Sequence, residues 1–203
     1  MEVKNSVKLV DYTKSMKILE KRVQDVFDNK KEELLWILEH KPVFTAGTSS
    51  VESDVLNKKI KILKTKRGGK HTFHGPGQKV VYFVINLNKR KKDIRELVKK
   101  IEICIIEILN EYKIEGYADR KNIGIWVDNK TSSKKIASIG IRVKKWVAYH
   151  GFSINVSNDL LYLNKIVPCG IKDKGVTSIK NLGIKKYKNI NNIIVNKFLN
   201  IFL

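Results

Sequence analysis

The chain has 203 residues, 42% of them apolar and only three of them proline, enough to bury a core in one folded unit and too apolar for a disordered chain. Its 41 Lys and Arg against 20 Asp and Glu leave a formal net charge of +21, which raises nucleic-acid binding as a reading. The excess is mostly lysine and comes with abundant isoleucine and asparagine, the drift of A/T-rich coding, so we read it as solvated surface that attracts acidic protein partners, with no nucleic acid among them.

In chain order, Thr13 to Asn29 spaces Met16, Leu19, Val23, Val26 and Phe27 as one face of an amphipathic helix, with Asn29 as its stop. Leu34 to Leu38 is an apolar run short enough for a buried strand, ended by Pro42. Lys59 to Thr65 and Lys79 to Leu87 are the next strands, joined by a glycine-rich loop. Asp93 can cap a helix with Glu96 three residues on, and Ile94, Leu97, Val98, Ile101, Ile105, Ile108 and Leu109 form its apolar face. From Ile123 to Val156 the pattern turns strand-like three times, with a turn at Asp128 to Ser133, and Ile190, Ile193, Ile194, Phe198, Leu199 and Phe202 mark a closing helix. Helices interleaved with hairpins predict an α+β class: a single domain over residues 1–203, with a mixed sheet flanked by helices.

Cys104 and Cys169 lie far apart and form no C-x-x-C pair, so neither a disulfide framework nor a zinc site is expected. No stretch reaches the roughly 20 apolar residues of a membrane span and the N-terminus carries no unbroken apolar run, which predicts a cytoplasmic chain without membrane attachment. Cys104 falls on the apolar stripe of the second helix and reads as core. Cys169 sits in Val167-Pro-Cys-Gly-Ile171, a break between elements where sulfur can be exposed and backbone amides are free; it is either an incidental loop cysteine or a nucleophile.

The segment from Arg67 to Gln78 carries four glycines, His71 and His74. It is an ordinary long loop or a place where backbone N–H groups come close to a ligand; it matches neither a Walker loop nor a dinucleotide fingerprint, and H-x-x-H alone is a weak metal signature, so no metal is expected. Strand alternation puts Lys135 on the face of Ala137, Ile139, Ile141 and Val143, and His150 on the face of Ala148, Phe152 and Ile154. A strand-end lysine can snorkel and a buried histidine can simply be hydrogen-bonded. A cysteine nucleophile, however, needs a nearby cation, and these two residues could complete a site with Cys169.

Four ordered segments, RGGKHTFHGPGQ at 67–78, KIASIGIRV at 135–143, HGFSINV at 150–156 and PCG at 168–170, resemble the octanoyltransferases of lipoate biosynthesis, also called lipoyl(octanoyl) transferases. The resemblance implies the catalytic fold of biotin and lipoate protein ligases and a cysteine–lysine dyad, Cys169 as acyl acceptor and Lys135 as its activator. It implies an acyl and carrier-arm pocket lined by Arg67, Gly68, Gly69, Lys70, His71, Thr72, Phe73, His74, Ser138, Ile139, Gly140, Gly151, Phe152 and Ser153. It implies no cofactor, an octanoyl-acyl carrier protein as donor, and as acceptors the lipoyl domains of 2-oxoacid dehydrogenase complexes and the glycine cleavage H protein. Backbone N–H groups at Gly170, or at Gly75 to Gly77, are candidate oxyanion donors. Phe73 stands where the family usually has tyrosine, and of the doubled Lys134 and Lys135 the second directly precedes the Ile-Ala-Ser-Ile-Gly run. Two other readings compete. An ATP-dependent lipoate or biotin protein ligase would need no thiol, and a nucleic-acid module would interleave aromatics with its lysines, whereas here the aromatics sit in apolar runs.

Overall fold

The structure, a computed structural model, describes residues 1–120, 122–129, 132–167 and 175–203. Its centre is a pair of strands, β2 (Leu34–Leu38) and β6 (Gln78–Asn86), in antiparallel register from Leu34 opposite Val84 to Leu38 opposite Val80. Both are almost unbroken apolar runs because both faces of the sheet are covered. Leu35, Ile37, Val81, Phe83 and Ile85 face one core, which holds α2 (Ile94–Asn110) and α3 (Ile190–Phe202). Leu34, Trp36, Leu38, Val80, Tyr82 and Val84 face a second core, closed by α1 (Tyr12–Phe27).

The rest of the main sheet is added outward. β1 (Glu2–Asn5) pairs parallel with β2, and β10 (Val147–Asn155), β9 (Ser132–Lys144), β8 (Ile125–Asn129) and β7 (Gly116–Ala118) follow β6 as an antiparallel run. A short β11 (Gly175–Val176) lies parallel to β9 at Lys134 and Lys135. A second, three-stranded sheet sets β3 (Val43–Ala46) between β4 (Ile62–Lys64) and β5 (His71–His74).

The expected helices form, with caps that explain their starts. Asp11 accepts from the Lys14 amide, Asp93 accepts from the amides of Arg95 and Glu96, and Asn29 takes φ 55° just past α1. Phe27 and Ile94 are more exposed than expected because they are the last and first residues of their helices. The strand expected over Lys59 to Thr65 shrinks to β4, and part of the expected loop, His71 to His74, is β5, held antiparallel to β3. Phe83 is fully buried with ring centroids of Phe198 and Phe202 at 5.8 and 6.5 Å, so Phe83→Ala is expected to cost about 4 kcal/mol, read as a lower urea midpoint. No helix among the described residues is long and apolar enough to cross a membrane.

Candidate active site

The glycine-rich segment is organised by one side chain. Arg67 is buried and donates to the carbonyls of Thr45, Gly68 and Lys70 and to the Thr45 hydroxyl, over 2.8–3.3 Å. The guanidinium fork thus ties the loop to β3, in a way a lysine could not reproduce. The Gly68 amide then reaches the Ile141 carbonyl of β9 at 3.3 Å, which lays the loop along the strand edge where β8 has ended.

Across β9 and β10 the register aligns two distant motifs: Ser138 opposite Ser153, Ile139 opposite Phe152 and Gly140 opposite Gly151. At Gly151 φ is +154°, and a Cβ there would stand 2.0 Å from the Val81 carbonyl oxygen, so no other residue fits. The neighbouring His150 has φ 70°, and this overturns the alternation expected of it. Its register partners Phe83 and Ile141 face the α2 side, yet its ring stacks on Tyr149 at 4.8 Å and meets Tyr82 edge-on at 6.3 Å, on the α1 side.

There it joins a layer of rings. Tyr12 lies against His40 and His74 at 5.2 and 6.1 Å, and Tyr82 gives a 2.8 Å hydrogen bond to His40 Nε2. Because His40 Nδ1 faces the Val10 carbonyl, it must carry the proton, which makes Nε2 the acceptor. Gln78 donates to the Phe73 carbonyl and to Asn155, so its oxygen takes the proton of His74 Nδ1 at 2.6 Å. Burial pulls the pKa of His40 down to about 4, of His74 to about 3 and of His150 to about 4, keeping all three rings neutral at neutral pH.

Of these rings Tyr12, His74, Tyr82 and His150 border a cavity of about 60 Å³. Arg67, Gly69, Lys70, His71, Thr72 and His74 line it, as do Ser138, Ile139 and Gly140 with Gly151, Phe152 and Ser153. A second cavity of about 300 Å³ shares Gly69, Lys70, Ile139 and Gly140 with the first, and Gly68, Ile123 and Lys135 are among its other lining residues. Lys135 is 4% exposed, gives a 2.9 Å hydrogen bond to the Ile123 carbonyl, and lies with Nζ 4.8 Å from the ring centroid of Trp126. Its placement differs from strict alternation. A register shift pairs Ala137 with Ile125 but Lys135 with Trp126, so the intervening Ile136 breaks the period of two.

Of the sequence-predicted residues, Phe73 alone among the described ones lines neither cavity. Its ring stacks on Tyr162 at 4.4 Å in a small cluster with Phe44, Leu163 and Ile166, because the strand β5 turns it away from the side of His74. The Gly77 amide donates to the Glu39 carboxylate at 2.7 Å, which removes it as an oxyanion donor. Cys104 is fully buried, and burial pushes its thiol up to about 12, in keeping with core packing. Cys169 and Gly170 lie outside the described residues; the chain is described up to Val167, whose amide bonds the Asp54 carbonyl, and again from Gly175 at the start of β11. Tyr12, Val80 and Tyr82 also line the first cavity and Trp126 backs Lys135; the sequence pattern puts Val80 and Tyr82 in a strand and gives Tyr12 and Trp126 no role. No group of three His, Cys, Asp or Glu that could hold a metal occurs among the described residues.

Residues 11–199 match the family described as lipoyl protein ligase A/B catalytic domain. The chain belongs to that family. An octanoyltransferase of Wolbachia sp. subsp. Brugia malayi is 43% identical over 199 residues, covering 97% of each chain, and one of Anaplasma phagocytophilum is 45% identical over 177 residues, 86% of this chain and 85% of the relative. Among solved structures, a lipoate-protein ligase A bound with ATP superposes with a TM-score of 0.73 at 15% identity, covering 99% of this chain and 85% of the other. A putative lipoate protein ligase from T. acidophilum gives 0.71 at 15% identity, covering 99% and 85%.

Within the lipoyl protein ligase A/B family, kinship over the whole length with octanoyltransferases makes this chain an acyltransferase. The mixed sheet flanked by helices is the ligase fold that the four sequence segments implied.

Proposed function

We propose that this acyltransferase moves an octanoyl group in lipoate biosynthesis, from octanoyl-acyl carrier protein to the ε-amine of a lysine on lipoyl domains, through a thioester on Cys169. The observation that carries the reading is Lys135: a buried amine lining a cavity that shares Gly69, Lys70, Ile139 and Gly140 with a histidine- and tyrosine-walled pocket. Two neighbouring cavities of this lining suit an acyl chain whose carbonyl must meet a proton carrier. β11, which starts directly after residues 168–174, pairs with the Lys135 backbone, and the Thr177 amide bonds the Lys135 carbonyl at 2.9 Å. The first described residues after Cys169 in the chain are thus held beside Lys135.

The chemistry balances with these two groups. Cys169 as thiolate, beside the Lys135 ammonium, attacks the carbonyl of the incoming thioester; the carrier thiolate leaves and takes the ammonium's proton. The acceptor lysine then attacks the Cys169 thioester, the neutral Lys135 amine takes the proton this nitrogen sheds, and the Cys169 thiolate departs, restoring the starting pair. One thioester replaces another, so no ATP enters. Acceptors would be the lipoyl domains of 2-oxoacid dehydrogenase complexes and the glycine cleavage H protein, and the +21 charge would speed the approach of acidic carriers.

Intact-mass spectrometry tests this in the cytoplasmic setting we assign to the chain. Exposure to octanoyl-acyl carrier protein without ATP is expected to add one octanoyl group to the wild type and to Cys104→Ala, and none to Cys169→Ala. An adduct that survives in Cys169→Ala places the nucleophile elsewhere, and transfer that demands ATP and free acid identifies a ligase instead.

A further inference from the structure

Lys135 does not reach its position by its own strand alone. The turn ahead of β8 forms a collar around its side chain. The Trp126 Nε1–H bonds the Asn122 carbonyl at 2.8 Å, which closes the turn and fixes the indole plane. Inside that turn the Ile123 carbonyl accepts from Nζ at 2.9 Å, and the indole face stands under the same nitrogen at 4.8 Å. Gly124 completes the collar: it holds φ +132°, and a Cβ on it would stand 2.7 Å from the Ala137 carbonyl oxygen, 3.1 Å from Lys135 Cε and 3.3 Å from Nζ. The Lys135 backbone is meanwhile held between Trp126 on β8 and Val176 on β11.

We propose that Trp126 is a positioning residue for the acyl transfer, its indole face holding the Lys135 nitrogen beside the cavity that Lys135 lines. The inference rests on the reading of Lys135 as the proton carrier. The two contacts on Nζ differ in what they select. A carbonyl accepts from an ammonium and, more weakly, from an amine, so the Ile123 bond gives the nitrogen a direction in both halves of the cycle. An aromatic face attracts the cation through its quadrupole, within the roughly 6 Å over which this is felt. Trp126 therefore steadies the nitrogen while it is charged, the state that pairs with a thiolate, and gives it no hydrogen bond that must break when the proton leaves. Trp126 is only 1% exposed and lines neither cavity, so its effect on substrate binding is indirect.

The test separates ring face from fold and from the underlying reading. Steady-state kinetics with octanoyl-pantetheine and a lipoyl domain are run on the full chain. Trp126→Leu is expected to lower kcat about 30-fold with KM within about twofold, since loss of about an ångström of placement costs on the order of 100-fold. Trp126→Phe keeps a ring face and is expected to recover to within about threefold of wild type. Should Trp126→Leu not fold, as judged by its melting temperature, Trp126→Met fills more of the volume and answers the same question. Wild-type kcat in Trp126→Leu or Trp126→Met overturns the proposal. So does a Trp126→Phe as slow as Trp126→Leu, which would assign the effect to something other than an aromatic face. If Lys135→Ala is itself fully active, the reading of Lys135 falls, and that outcome is distinct from either of these.

Discussion

Replacing Lys135 by alanine is expected to lower the single-turnover rate of octanoyl transfer by about 1,000-fold, the scale of a general acid–base contribution. The residue is buried, lines the second cavity and directs its nitrogen to the Ile123 carbonyl at 2.9 Å. Loss of its charge should also slow alkylation of Cys169 by iodoacetamide at neutral pH, because less thiolate is present. Lys135→Arg divides the two duties. Arginine keeps the positive charge but does not give up its proton at any accessible pH, so it can favour the thiolate and cannot collect the proton of the acceptor amine. The expected result is an acyl-enzyme that forms, visible by mass, and then fails to pass its octanoyl group on. Unchanged alkylation in Lys135→Ala, or full turnover in Lys135→Arg, would remove Lys135 from the chemistry.

The second large effect is on stability. His40, His74 and His150 are buried and neutral, with pKa values brought down to about 4, 3 and 4 by desolvation. The unfolded chain accepts protons on these rings below about pH 6.5, while the folded state refuses them, so folding loses about 1.4 kcal/mol per pH unit per histidine. The contribution is intact above about pH 6.5 and disappears progressively as pH falls toward 4, and for His74 toward 3. At about pH 5 the three together weaken the fold by about 6 kcal/mol, comparable with the roughly 5–15 kcal/mol that holds a domain. Urea unfolding at about pH 7.5, 6 and 5 should show midpoints falling steeply over the acid half of that range. A midpoint that stays level would mean that these rings are protonated, or exposed, in the native state. The high positive charge works in the same direction, since every proton gained adds to repulsion.

How far the site could be read from the chain differs residue by residue. The apolar run of β6, the Asp93 cap and the stripe holding Cys104 follow from local rules, because burial imposes a period and a cap needs only its own neighbours. The short β3 and β5 were not visible as strands. Four-residue strands exist through their pairing with each other, Val43 with His74 and Ala46 with His71, and β5 carries histidines and a threonine in place of an apolar pattern. Ser138 to Gly140 and Gly151 to Ser153 were legible as motifs; that they face one another across β9 and β10 is a matter of register, which composition does not specify.

Two side chains show the limit most sharply. Alternation assigns His150 and Lys135 to the inner face of their strands, and the tertiary structure turns both. A positive φ swings His150 to the α1 side, and one extra residue at Ile136 sets Lys135 opposite Trp126. The amino-acid sequence by itself determined the kinds of element, the caps, the buried Cys104 and the ordered motifs that mark the family, since these depend on interactions a few residues long or on residue identity. Only the tertiary structure decided which strands pair, which way two bent residues point, and that a loop, two strands and a tryptophan surround one amine. Those outcomes come from backbone hydrogen bonds between segments far apart in the chain, where a shift of one residue carries a side chain to the opposite face.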